Sequence, residues 1–375
     1  MKIFITVDSY YPDKNGVQYV TQYQAEGLAS LGHEVTVIAS NNQNSYQNED
    51  EHNGVKIIRI DAYNKNMFHY GDQKRYQMCV IEQSNKSDVM MNVCLQSFAA
   101  DWILPVLDKI KCKKILMMHS MHDFSWHKKD LESKNEFIKK ILRDIRWRQF
   151  YQANWKFIKK YDNVIHLHEK DVSYQYFQKK GYKNNAVIYN AVEDEFFKNH
   201  KKENLIISVA SYNSRKNQML ALQSFYKANT GSYKLVLIGL PENAYYRSLL
   251  TEKEKLEKQY GFKNVEILVN LDRESTKRYI FASKIYLMTS TWEGFPISII
   301  EAMASGATFI STDVGIVKYL KGGAVVMSKK EIIERLEEMT SGAWYKQAQI
   351  AKKYTFDNMN REIQVLKLEG LMKKE

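Results

Sequence analysis

Glu293 and Glu301 stand eight residues apart in the stretch Lys284–Gly306, KIYLMTSTWEGFPISIIEAMASG. Ionised carboxylates accept hydrogen bonds from paired hydroxyls, so one can hold a sugar and the other a ribose. The residues between them supply complementary chemistry. Gly294, Phe295 and Pro296 close a loop that leaves an apolar strand, and a helix pattern runs from Ile297 to about Ser305 with Gly306 as its stop signal. The N–H groups at that helix start, from Ile297 through Ser298 to Ile299, lack intrahelical acceptors and suit a diphosphate. Their dipole contributes about 0.3–1 kcal/mol when exposed and up to about 2 when partly buried, so a cation is needed as well. Arg215 and Lys216 supply two, in Ile206–Met219 (IISVASYNSRKNQM), where a strand ends in a small-residue loop before a helix starting near Asn217. Cations at that point bind a diphosphate and stabilise it as it departs. Taken singly, a loop glutamate or a basic pair before a helix is an ordinary solvated feature. The strand, the Gly-Phe-Pro loop and the apolar helix in one run argue for a site.

The first half carries a second, sparser set. Asn15-Gly16, in the loop Asp8–Val20 after the first strand, permits a tight turn and lets a ligand approach Gly16 closely. This loop is not GxGxxG and makes no dinucleotide claim. His119 closes the strand KKILMMHS, with His122 and Asp123 following. A lone histidine is usually structural, but a strand end is a reasonable place for a ligand-facing one. His119, His122, His127, His166 and His168 have no spacing that suits a metal, so none is expected; no resident cofactor is expected either.

Elements that can position these residues recur along the whole chain. The strand candidates are KIFITV, EVTVIAS, VKIIRID, DVMMNVCL, KKILMMHS and NVIHLHE, then NLIISVAS, YKLVLIGL, NVEILVN, KIYLMTS, ATFISTD and AVVM. Several are near-continuous apolar runs, as parallel strands covered on both faces require. Helical patterns such as Val17–Leu31 and Asn217–Asn229 separate them, and the βαβ rhythm starts twice. The expectation is α/β, with two doubly wound domains: 1–190 joined by a terminal helix 355–375, and 191–354. A chain of 375 residues with 44% hydrophobic residues can fill two such cores. Three irregularly spaced cysteines suit a reducing cytoplasm, Met1 runs straight into KIFITV without a signal peptide, and no apolar run approaches the ~20 residues of a membrane span. The net charge of +12 attracts anions in general. No nucleic-acid module is visible, so nucleic acid is not an expected partner. The segment 134–160 holds nine Lys/Arg against two acidic residues, with Phe137, Ile138, Ile141, Leu142 and Ile145 at helical spacing. Either its apolar stripe packs on the first domain, or the helix lies on an anionic membrane surface, leaving the chain cytoplasmic and peripheral on the inner face of the cell membrane.

Together these elements resemble glycosyltransferase family 4, the group 1 transferases. The resemblance runs through the Asn15-Gly16 loop with LASLGHEVTVIAS, His119, VIYNAVEDEFF at the join, RKNQMLALQSF, LVLIG and the E-x7-E run EGFPISIIEAMASG. It implies a GT-B fold: two Rossmann-like domains facing a central cleft, with the C-terminal helix crossing back to the first. It also implies a retaining, metal-independent transfer of a hexose or N-acetylhexosamine. The donor would be a nucleotide-diphosphate sugar, with UDP-sugar expected, and the acceptor a glycan or lipid-linked glycan of cell-surface polysaccharide synthesis. By the same resemblance Glu301 binds the ribose, Glu293 and His119 lie by the transferred sugar, and the Gly294–Ser298 backbone meets sugar hydroxyls and diphosphate. Lys216, helped by Arg215, binds the diphosphate, and Gly16 lets the first loop reach donor and acceptor. Four positions depart from the family pattern: Asn15-Gly16 stands where the first loop usually has a double glycine, Ser211 replaces a usual arginine, Asn270 a strand-end glycine, and Lys318 a residue often acidic. A nucleotide-sugar epimerase, or a non-catalytic glycan-binding partner subunit, is the alternative reading; products formed from donor alone separate the first from a transferase.

Overall fold

The computed structural model describes residues 1–13, 15–41, 46–65, 68–126, 128–131 and 133–373. His127 and Lys374 therefore lie outside the described residues. The chain divides into two units, Met1–Tyr189 with the segment from Val365 onward, and Asn190–Gln364.

The first unit is built on an eight-stranded sheet. Its strands are β1 (Lys2–Thr6), β2 (Glu34–Ser40), β3 (Glu49–His52), β4 (Val55–Ile60), β7 (Val89–Val93), β8 (Lys113–Met117), β9 (Asn163–His166) and β10 (Asn185–Val187), with β5 (Ala62–Lys65) and β6 (Phe68–Gly71) forming a separate hairpin. The order is β10-β9-β8-β7-β1-β2-β4-β3, parallel except at the β3 edge. β1 pairs on one side with β2 (Ile3 opposite Val35) and on the other with β7 (Ile3 opposite Val89). An apolar run with strands on both flanks and helices on both faces must be buried throughout, and Phe4 and Ile5 are fully so.

The second unit repeats the plan with β11 (Leu205–Val209), β12 (Lys234–Gly239), β13 (Val265–Val269), β14 (Ile285–Met288), β15 (Thr308–Thr312) and β16 (Gly323–Val326), all parallel in the order β13-β12-β11-β14-β15-β16. Its first strand again lies inside the sheet. Ile206 faces Leu235 of β12 on one side and Ile285 of β14 on the other. The chain order reverses between β11 and β14, and such a reversal leaves a crevice at the carboxyl ends, because successive loops turn to opposite faces.

All twelve strand candidates form strands. The four strands without a sequence expectation, β3, β5, β6 and β10, have no fully buried strip to betray them, only Ala62 being buried among them. The terminal stretch is two helices rather than one: Trp344–Met359 and Arg361–Lys373, broken where Asn360 turns extended (φ −69°, ψ 138°). Residues 355–364 stay with the second unit, because Thr355 and Met359 are buried and Val192 N donates to Met359 O at 2.9 Å. The return to the first unit begins at Val365, whose methyls pack on Gly27 of the helix Gly16–Ser30; a β-carbon at Gly27 would lie 2.7 Å from one of them.

The helix Lys134–Ile158 settles which way its faces turn. Its inward residues are Lys140, Asp144, Trp147, Tyr151 and Ile158, a 3.6-residue repeat. Lys140 Nζ donates to Asp144 Oδ1 at 2.8 Å and to Asp123 O at 2.7 Å, while His122 Nε2 meets Asp144 Oδ1 at 2.7 Å. Phe137, Ile138, Leu142 and Ile145 are exposed, so the reading in which the apolar stripe packs inward is overturned. The charged pair, satisfied by its neighbours, takes the inner face that the apolar residues were expected to occupy. No helix among the described residues is long and apolar enough to cross a membrane.

Candidate active site

In the second unit, the crevice at the β11/β14 reversal is bounded by the loop 210–217 after β11 and the loop 289–296 after β14. Hydrogen bonds to the backbone of the first loop tie the two together: Thr291 N donates to Arg215 O at 2.7 Å, and the Thr289 hydroxyl Oγ1 to Asn217 O at 2.8 Å. Their side chains then meet. Lys216 Nζ lies 2.5 Å from Glu293 Oε1, which also accepts from Ser290 Oγ at 2.7 Å. Both partners are largely shielded, with the lysine side chain 17% and the glutamate side chain 10% exposed. An ammonium has three donors and Glu293 engages one. Arg215, exposed, holds its guanidinium over the Trp292 ring at 5.4 Å.

Local chemistry explains why each loop takes this shape. Asn217 sits in the left-handed region (φ 50°) and turns the chain abruptly into the helix Gln218–Lys227, while the buried Gln218 side chain donates to Ala210 O (3.2 Å) and Ser211 O (3.0 Å). Gly239 ends β12 against that loop: a β-carbon there would stand 2.3 Å from Ala210 O. Asn270, where a strand-end glycine was expected, has φ 57°, and asparagine is among the side chains that tolerate this conformation best. Ser211 is exposed and carries no charge to the crevice.

After β14, Pro296 takes the N-cap of the helix Ile297–Ala304 and gives no side-chain cap. Ser298 Oγ shares a 2.6 Å bond with Tyr286 OH, which donates to Val209 O at 3.0 Å. The Gly294–Phe295 backbone is pinned from two sides, by Ile316 N on Gly294 O (3.2 Å) and Asn190 Nδ2 on Phe295 O (2.9 Å). Gly315 has φ 52°, and a β-carbon on it would fall 2.2 Å from Gly294 O.

Glu301 is on the same helix, 3% exposed, and paired with Arg273 at the start of the helix Arg273–Ala282. The guanidinium is bidentate: NH1 donates to Oε2 at 3.2 Å and NH2 to Oε1 at closer range. Burial pushes the Glu301 carboxyl above its usual range, and Arg273 opposes that shift. The chain thus brings Lys216, Arg215, Glu293 and the start of the Glu301 helix into one crevice. Glu293 and Glu301 have separate cationic partners. Arg273, Asn190 and Gly315 carried no sequence expectation. Arg273 repeats the strand–loop–basic–helix pattern of Arg215-Lys216, which is the one signal that pointed to it.

The first unit keeps its own polar end. Asp8, Cys94 and His119 follow the adjacent strands β1, β7 and β8, at the reversal of that sheet's order. His119 lies two residues beyond β8. Its Nε2 is buried without a hydrogen-bond partner among the described residues, and desolvation lowers its pKa to about 4, so the ring is neutral above that pH. Asp8 accepts from Asn64 Nδ2 at 2.9 Å, Asn64 Oδ1 meets His69 Nδ1 at 2.7 Å, and His69 Nε2 meets Asp101 Oδ2 at 2.9 Å. Burial raises both aspartic acids. This chain was not anticipated, because Asn64 and His69 come from the hairpin β5–β6. Gly16 opens the helix Gly16–Ser30, capped by Asn15 Oδ1 accepting from Gln18 N at 2.9 Å, and among the described residues no atom outside its own chain neighbours and helix backbone lies within 4 Å of where its β-carbon would be. Among the other histidines, His122 pairs with Asp144, His166 bonds Ser173 (2.7 Å) and Asn185 (2.9 Å), and His168 stacks on Tyr189.

Residues 191–354 match the family described as "Glycosyl transferases group 1". Over 119 residues the chain is 30% identical to the mouse (Mus musculus) "GDP-Man:Man(3)GlcNAc(2)-PP-Dol alpha-1,2-mannosyltransferase", a match covering 30% of this chain and 24% of that protein. It is 27% identical to the human (Homo sapiens) protein of the same name over 164 residues, 40% of this chain and 33% of the relative. The chain therefore spans about a quarter to a third of the length of these curated relatives. Among solved structures, sucrose-phosphate synthase from Thermosynechococcus elongatus superposes with a TM-score of 0.72 at 14% identity, over 99% of this chain and 98% of that one. HepE of Anabaena, in complex with UDP and glucose, gives 0.68 at 13% identity, over 99% and 98%. At such identities the likeness establishes the fold, which is GT-B.

Gly315→Ala is expected to cost about 1–3 kcal/mol, because the substituent meets Gly294 O in a backbone conformation that L side chains avoid. Urea denaturation of the variant checks it; a midpoint equal to wild type would mean that Gly315 does not hold the Gly294 loop.

Proposed function

We propose, on the match of residues 191–354 to the glycosyl transferases of group 1, that the chain is a retaining, metal-independent glycosyltransferase. Its donor is a nucleoside-diphosphate sugar. The observation that carries this reading is the Lys216–Glu293 pair, which joins two strand-end loops beside the uncapped start of the helix Ile297–Ala304. Two cations, three amides and a carboxylate together match a ligand with a diphosphate on one side and a polyhydroxylated ring on the other.

In the proposed step, the bond from the anomeric carbon to the β-phosphate oxygen breaks through an oxocarbenium-like state. An acceptor hydroxyl bonds to that carbon on the face the leaving group vacates, and its proton passes to the leaving phosphate oxygen. Lys216, Arg215 and the helix start stabilise the charge that develops on the diphosphate. Glu293, held by Lys216 and Ser290, orients sugar hydroxyls through Oε2, which takes part in neither contact. Glu301 takes the ribose. On the first unit, His119, whose ring is neutral above about pH 4, and the loop at Gly16 are the candidates for sugar and acceptor contacts. The mammalian relatives are named for GDP-mannose, and HepE was solved with UDP and glucose, so both nucleotide classes belong in a donor screen alongside the expected UDP-sugars.

The acceptor is proposed to be a lipid-linked glycan, reached from a membrane surface. Trp126, Leu131, Phe137, Ile138, Leu142 and Ile145 are exposed together on and beside the helix Lys134–Ile158, among lysines and arginines such as Lys134, Lys139 and Arg146. Apolar side chains interleaved with cations suit the headgroup boundary of an anionic bilayer. Both mammalian relatives are named for a dolichol-diphosphate-linked glycan.

Lys216→Ala should lower kcat about 10²–10³-fold with a donor it still binds, as expected when one donor to a developing anion is removed; steady-state kinetics check it, and unchanged turnover would remove the role. In flotation assays the chain should rise with vesicles containing anionic phosphatidylglycerol and not with neutral ones, and Ile138→Asp with Leu142→Asp should abolish this. Flotation independent of lipid charge, or none, would remove the membrane proposal.

A further inference from the structure

We propose that Arg273 is a positioning residue of the donor site, gripping both carboxylate oxygens of Glu301 so that their remaining lone pairs face the 2′- and 3′-hydroxyls of the donor ribose. This rests on the reading above that Glu301 receives the ribose.

The geometry supports it from three directions. Glu301 is buried inside a helix that begins at the proposed diphosphate site, yet Arg273 reaches both of its oxygens at once. A carboxylate has about four acceptor positions, two per oxygen. A guanidinium fork occupies one on each and fixes the plane of the group, leaving one on each for a vicinal diol. Arg273 is itself well anchored. It opens a helix capped by Asp272, whose Oδ1 accepts from Ser275 N at 2.7 Å, and its guanidinium lies 5.4 Å over the Phe196 ring.

The surrounding charges make Arg273 hard to replace. Lys277, on the same helix, is the other nearby cation, but it is held by Glu193 at 3.5 Å, Glu274 at 3.1 Å and, closer still, Glu195. Glu193, from the segment before the second unit's first strand, adds negative charge toward Glu301. Burial and Glu193 therefore favour the protonated acid, while Arg273 and, more weakly, Lys277 favour the carboxylate. A protonated Glu301 donates one hydrogen bond and no longer accepts from both ribose hydroxyls. Removing Arg273 moves that loss to higher pH, so nucleotide affinity in the variant should improve as pH rises.

Calorimetric titration of the full chain with UDP, GDP and their 2′-deoxy analogues, at several pH values from about 6 to 9, tests this. Wild type should bind the ribonucleotide more tightly than its 2′-deoxy analogue. Arg273→Ala should weaken ribonucleotide binding at neutral pH roughly tenfold or more, the scale of a lost charge-assisted contact, abolish the preference for ribose, and regain affinity toward pH 9. Arg273→Lys, which keeps the charge but not the fork, should fall between, and thermal melts of both variants establish that they fold. kcat for slow donor hydrolysis at saturating donor should change far less than KM. Arg273→Ala binding within twofold of wild type across the pH range, while wild type still prefers ribose, would overturn the role of Arg273. A wild type indifferent to the 2′-hydroxyl would instead overturn the ribose assignment of Glu301.

Discussion

The site depends on where each sheet begins. β11 enters the middle of its sheet, with β12 on one flank and β14 on the other, so the loops that leave β11 and β14 diverge to opposite faces and no crossover helix covers the gap between them. That gap is where the sequence concentrates its unusual backbone: left-handed Asn217 after β11, and Gly315 pressed against Gly294 O beside the loop after β14. Neither loop is held by its own residues alone. Thr289 and Thr291 bond to the backbone of the Arg215–Asn217 segment, and Lys216 closes on Glu293. A change in either loop is therefore felt by both halves of the proposed diphosphate and sugar site.

Buried charge is the second theme. Glu301 would be a costly group in its helix without Arg273, and Lys140 with Asp144 would be costly on the inner face of the helix Lys134–Ile158 without His122 and Asp123 O. In each case a polar network takes ground that apolar side chains could have filled. For Lys134–Ile158 the consequence is a displaced apolar stripe, left on the outside among cations. For Glu301 the consequence is a carboxyl group held in one orientation by the Arg273 guanidinium.

The fold class was legible because parallel strands covered on both faces must be apolar almost without interruption; LIISV, IYLM and VMMNV announce themselves. EDEH, AYNK and FHYG do not, since edge and hairpin strands bury little. The run from Glu293 to Glu301 was legible because strand end, glycine loop and helix start are local features. Arg273 was legible only as a basic residue between a strand and a helix; its pairing with Glu301 is made across 28 residues of chain, and no local pattern names that partner. The same limit hid the Asp8–Asn64–His69–Asp101 chain, assembled from the loop after β1, a hairpin and the short helix Phe98–Asp101. On the helix Lys134–Ile158 the 3.6-residue period was readable, but period alone does not say which face turns inward once a charged pair can be satisfied there.

The central claim, that the β11/β14 crevice holds a nucleoside-diphosphate sugar, is tested most directly by incubating the wild-type chain and Glu301→Ala with a panel of UDP- and GDP-sugars and measuring release of free nucleoside diphosphate. Wild type should slowly hydrolyse at least one donor in the panel, and Glu301→Ala should lose this at donor concentrations that saturate wild type. Release by the variant equal to wild type, or no turnover of any donor by the wild-type chain, would contradict it.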